Sequence, residues 1–235
     1  MPTILPDIPT VEAAIVEMTN TYRAGQKLCT VGPSPGLAAA AQAFANYLAR
    51  TDSFAHDAGG TTLQQRAGKV GYDYCEISEN LARSLDSRGF ESRKLAEATV
   101  EGWINSPGHR RNIEAPNVTE IGVAVARVPD KHPKYVVVQL FGRPRSLAFD
   151  VQIANTTKAP VSYSFGNETH ELAPSMAATH TACAATSVVF KKAGTGAGAV
   201  ALTARYEATS GTVYVIERGK SGAPQVKVEA RRKIK

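Results

Sequence analysis

Cysteine is scarce in this chain of 235 residues. There are three, Cys29, Cys75 and Cys183, and the odd count leaves at least one thiol free or bound to another chain. Tryptophan occurs once, at Trp103. No apolar run reaches the roughly eighteen residues that a membrane-spanning helix needs, so none is expected. The short catalytic signatures are missing as well: no HExxH, CxxC or GxSxG, and no GxGxxG after a strand. The Gly/Ala stretch Gly194–Gly198 is too irregular for a phosphate cradle and lacks the Lys-Ser/Thr ending of a P-loop. The opening MPTILPDIPT has neither a charged n-region nor an apolar h-region. Two expectations follow from that: the protein stays inside the cell, or the chain is a mature form with Met1 added.

What is present suffices for a folded protein. The chain is 43% hydrophobic and 20% charged, far from a disordered composition. Most of its net charge of +6 falls in the last third, partly in the tail Arg231-Arg-Lys-Ile-Lys235. Such a tail can touch anionic surfaces. No basic patch is interleaved with aromatics, so nucleic-acid binding is not expected.

Hydrophobic periodicity divides the chain in two. Val11, Ile15, Met18 and Tyr22 recur at helical spacing and predict a helix over about 9–26. Leu37, Ala41, Phe44 and Leu48 predict a second, alanine-rich helix after Gly32-Pro-Ser-Pro-Gly36. A short helix is expected at 62–69 and another at about 91–105, closed by Pro107-Gly108. The period then changes to two. Ile121, Val123 and Val125 alternate as in a half-buried strand, and Tyr135–Phe141 reads as a strand buried on both faces. Helices followed by strands predict an α+β sandwich over residues 1–145. After Arg143-Pro-Arg-Ser146 short alternating runs appear: Phe149/Val151/Ile153, Val161/Tyr163/Phe165, Leu202/Ala204/Tyr206, Val213/Val215 and Val226/Val228. They predict a small all-β, sandwich-like domain over 146–235.

The residues able to carry chemistry are dispersed at the edges of these elements. Phe54-Ala-His56 follows the second helix, Ser78-Glu-Asn-Leu81 is expected before a turn, and Trp103-Ile-Asn-Ser-Pro-Gly-His109-Arg-Arg-Asn-Ile follows the fourth helix. With Asn20-Thr-Tyr-Arg23 and Glu120-Ile-Gly-Val123, their order over residues 9–143 resembles the CAP superfamily: cysteine-rich secretory proteins, antigen 5 and pathogenesis-related proteins, also called SCP domains. The bacterial branch is the nearest in pattern. The resemblance implies an α-β-α sandwich and an exported, secreted or periplasmic protein. It also implies a cleft lined by His56, Glu79 and His109, with Asn80 and Ser106 beside it. Ser106 stands where animal and plant members carry a second acid, and Ser78 where the family has glycine, at the cost of a stiffer turn.

Several readings of that cleft stand together. His56, His109 and Glu79 could hold zinc or another divalent ion, form a hydrogen-bonded network over the core, or receive a small hydrophobic, lipid-like or protein ligand without metal. Ser106, His109 and Glu79 also make a Ser-His-acid set on paper, for hydrolysis of peptide or ester bonds. A binding role is the expectation, and the hydrolase the alternative. His170, His180 and Cys183 have poor spacing for a metal site. Trp103 is expected to pack its helix on the sheet, and Arg110 and Arg111 to form a solvated, cationic rim. In an exported protein, Cys29 and Cys75 are the expected disulfide, with Cys183 free.

Overall fold

The computed structural model describes residues 3–191 and 203–230. The Gly194–Gly198 stretch, Leu202 and the tail Arg231–Lys235 lie outside the described residues. The chain divides into two compact units, Met1–Ser146 and Leu147–Lys235.

The first unit runs α1 (Ile8–Gly25), β1 (Gly32–Pro33), α2 (Pro35–Thr51), α3 (Leu63–Lys69), β2 (Tyr74–Leu85), α4 (Ser92–Asn105), α5 (Pro107–Ile113), β3 (Glu120–Val128) and β4 (Lys134–Pro144). Local chemistry explains the helix starts. Asp7 caps α1 by accepting from the Thr10 amide, and Thr62 with Gln65 forms a reciprocal capping box on α3. The strands form one sheet in the order β1-β3-β4-β2, antiparallel except for the β1–β3 pair.

β4 lies inside the sheet and is buried from Lys134 to Gly142. Because strand side chains alternate, its two faces feed two cores. Tyr135, Val137 and Phe141 join Val11 and Ile15 of α1 and Leu95, Val100 and Trp103 of α4. Val136, Val138 and Leu140 join Leu37, Ala41, Phe44 and Leu48 of α2. The result is a three-layer α-β-α sandwich. β3 behaves the same way: its Ala124 and Ala126 pack under α2, so it is buried on both faces rather than half-buried. Gly122 makes this contact possible, because a Cβ there would sit 2.3 Å from the Leu37 backbone carbon. Trp103 is buried between α4 and the sheet, and its indole N–H donates to the Leu81 carbonyl at 2.9 Å.

The second unit holds β5 (Phe149–Asn155), β6 (Val161–Phe165), β7 (Glu168–Leu172), β8 (Ala177–Ala182), β9 (Ser187–Lys191), β10 (Ala204–Glu207), β11 (Thr212–Arg218) and β12 (Pro224–Ala230). They form two four-stranded sheets, β10-β9-β6-β7 and β12-β11-β5-β8. Val151, Ile153, Tyr163, Phe190, Tyr214 and Ile216 share one core drawn from both sheets, as in a β-sandwich.

The cysteines correct the sequence reading. Cys29 is a free, exposed thiol, so the expected Cys29–Cys75 bridge is not formed. Cys183, expected free, is in disulfide form, as is Cys75. Spacing along a chain does not report which sulfur atoms approach to bonding distance.

Candidate functional site: the His56, Glu79 and His109 cleft

Two of the three cleft residues sit in elements other than those expected. Ser78-Glu-Asn-Leu81 lies in the middle of β2, paired along its length with β4, rather than before a turn. His109 lies in the first turn of α5, which Pro107 opens, rather than in a loop after α4. A proline at the first helical position is a start signal, since its ring fixes φ and its missing N–H has no partner there anyway.

Glu79 is the centre of the arrangement. Its side chain is only 3% exposed, and both carboxylate oxygens are engaged. One accepts from Arg66 at 2.7 Å, and the other lies 2.8 Å from His56 Nδ1. Arg66 is itself buried on α3, with its guanidinium carbon 3.6 Å from the centre of the Phe44 ring. The same guanidinium donates to the carbonyls of His56 and Thr61, at 3.0 and 2.7 Å. One side chain thus neutralises the buried acid and pins both ends of the segment that carries His56. The His56 ring is 60% exposed and held at Nδ1, with no hydrogen bond to Nε2 among the described residues.

His109 meets this couple from α5. Burial, and after it the charge of nearby His56, holds its pKa below the ordinary histidine value. The neutral imidazole is therefore favoured at neutral pH, with a lone pair available. The backbone around it is fixed by amides. Asn80 Nδ2 donates to the His109 carbonyl at 3.2 Å and to Gln139 Oε1 at 3.0 Å. Asn112 Nδ2 donates to Asn80 Oδ1 at 2.8 Å and to the Glu79 carbonyl at 3.0 Å. Gln139 Nε2 continues to Thr19 Oγ1 at 3.0 Å, which ties the cleft to α1.

The other sequence candidates fall differently. Ser106 sits at the break between α4 and α5 in extended backbone, and its side chain caps neither helix. Glu79 pairs with His56, not with His109. Ser78 Oγ is buried with no hydrogen-bond partner among the described residues. Phe54 is exposed under the Arg83 guanidinium, and Arg110 and Arg111 are exposed. In the second unit, His180 Nε2 lies 2.7 Å from the Tyr163 hydroxyl, and His170 stacks on the same tyrosine. Among the described residues, no group of three or more His, Cys, Asp or Glu side chains is placed to hold a metal ion. Sequence reasoning missed Arg66, Asn112, Gln139 and Thr19. The only local signal was the capping box that fixes the phase of α3 and thereby the direction of Arg66.

Comparison with known proteins places this unit among relatives. The model of the CAP, or cysteine-rich secretory protein, family matches residues 16–141, more than half of the chain. Uncharacterized protein YkwD of Bacillus subtilis is 32% identical over 114 residues, 48% of this chain and 41% of that protein. The chain therefore spans well under half the length of this curated relative. An outer surface protein from Borrelia burgdorferi superposes with a TM-score of 0.50 at 21% identity, covering 57% of this chain and 93% of that one. An extracellular SCP-domain protein of Bacillus anthracis gives 0.48 at 26% identity, over 58% of this chain and 41% of that one.

Proposed function

The chain belongs to the CAP, or cysteine-rich secretory protein, family, and on that premise we propose that it is a secreted binding protein whose cleft takes its ligand through the imidazoles of His56 and His109. The engagement of Glu79 carries this reading. Both of its oxygens are held, by Arg66 and by His56. It is not free to shuttle a proton or to orient His109, and the Ser106 side chain makes no cap hydrogen bond to either helix. What Glu79 does is fix the ring of His56, as carboxylates do behind ligating histidines. Secretion is supported by the family and by the disulfide state of Cys75 and Cys183, which belongs to an oxidising compartment.

The donor set also suits a divalent ion such as zinc, through two neutral imidazoles with Glu79 behind them rather than as a third ligand. A bound ion would supply a Lewis-acidic attachment point for a ligand donor atom. The deciding experiment is titration calorimetry of Zn²⁺ into metal-stripped protein, beside the His56→Ala/His109→Ala variant. Fluorogenic casein and a nitrophenyl ester are assayed on the same samples. Micromolar binding lost in the variant, without turnover, is the expected result. Turnover abolished by His109→Ala alone would refute the binding role, and absence of zinc binding would remove the ion from it.

A further inference from the structure

A concavity lies beside Arg66. It is a groove of about 320 Å³ between α2 and α3, closed at one end by the turn at Ala58–Gly60. That volume is at the lower end for small-molecule pockets. Phe44 and Tyr47 of α2 form one wall, and Arg66, Lys69 and Val70 the other. Gly59 is what lets the turn lie against Tyr47. It has φ +74°, and a Cβ there would come 2.7 Å from the ring.

The charged side chains that line this groove are Arg66 and Lys69, both cationic. No acidic side chain lines it. Arg66 is 7% exposed and already neutralises Glu79, yet its Nε–H is buried with no acceptor among the described residues. Lys69 is exposed with no ion-pair partner among them, and Arg50 sits 5.6 Å from the Tyr47 ring centre. A tyrosine beside the unpaired Lys69, over a lining of alanine and valine, matches a flat apolar body with one negative charge.

We propose that the groove is a separate binding site, for a small aromatic monoanion such as an aryl carboxylate, with its ring against Tyr47 and its charge at Lys69. The site does not depend on the imidazole cleft. The two share Arg66 and the segment from His56 to Thr61, whose end carbonyls accept from Arg66.

The test is titration calorimetry of the full chain with 2-naphthoate, and with 2-naphthamide as the uncharged analogue. Ala43 lines the groove from an exposed position on α2, so Ala43→Trp fills the space without entering a core. The expected result is saturable naphthoate binding below about 1 mM, abolished by Ala43→Trp. Binding should weaken about fivefold or more in Lys69→Glu, and for the amide in the wild type. The His56→Ala/His109→Ala variant should bind naphthoate unchanged, which separates this site from the cleft. No saturable binding to wild type, equal affinity in Ala43→Trp, or equal affinity for acid and amide would overturn the proposal. Lys69→Glu, an exposed change, keeps the test valid if Ala43→Trp folds poorly.

Discussion

Replacing Arg66 by methionine is the sharpest probe of how the cleft is held. The substitution keeps an apolar stem against Phe44 but removes every donor of the guanidinium. Glu79 Oε2 then loses its partner at 3% exposure, and breaking a buried pair from one side costs about 3–5 kcal/mol. The carbonyls of His56 and Thr61 lose donors as well, about 1 kcal/mol each, partly recovered by water at this exposed segment. A net loss of about 4 kcal/mol corresponds to a fall in Tm of about 12–15 °C for a unit of this size. Trp103, the chain's only tryptophan, is buried in this unit, so its fluorescence follows the relevant transition. Glu79→Gln removes the charge that Arg66 serves. The double variant should therefore be more stable than the sum of the single effects predicts, by at least about 2 kcal/mol. A drop below about 3 °C for Arg66→Met, or strict additivity in the cycle, would refute the account of Arg66 as the clamp.

Three further outcomes follow from the structure. Gly122→Ala forces a methyl group into the backbone of α2 and should cost at least about 2 kcal/mol in urea unfolding; a neutral result would contradict the close approach of α2 to β3. The pKa of His109 is lower in the folded protein, while the unfolded chain takes up its proton near about 6.5. Between those two values the unfolded state binds more protons, so stability is full above about 6.5 and falls as pH drops through the folded value. His109→Asn should flatten this loss between pH 7.5 and 5.5, and an unchanged slope would assign it to other groups. Finally, maleimide should label the unreduced protein once, at Cys29, and Cys29→Ser should abolish labelling while changing stability by less than about 0.5 kcal/mol.

The legible part of this fold is the part that repeats. α1, α2 and α4 each bury a stripe at helical spacing, and β4 is a continuous apolar run, so composition and period announce them. β2 gives no such signal. Its sequence YCEISENLARSL places Glu79 and Asn80, both buried, where a core strand would carry aliphatic side chains. Those polar groups are tolerated only because Arg66, Asn112 and Gln139 reach them from elements 13 to 59 residues away. The same holds for the site. The order of motifs named His56, Glu79 and His109, but pairing them required distances that no spacing contains. α5 was hidden by its own opening, because Ser-Pro-Gly ends one helix and begins the next within three residues.

The position of β4 has a consequence for how the molecule comes into being. β2 touches no other strand of its sheet, and β3 reaches β2 only through it. Yet β4 is the last strand of its unit to leave the ribosome. Residues 74–85 and 120–128 therefore emerge as strands without a sheet, and the layer closes only when residues 134–144 arrive between them. Folding of this unit is late and nearly all at once, with a slow search set by non-local pairing. A chain halted before residue 134 lacks the strand whose two faces feed both cores. Its apolar helix faces stay exposed until that strand is made.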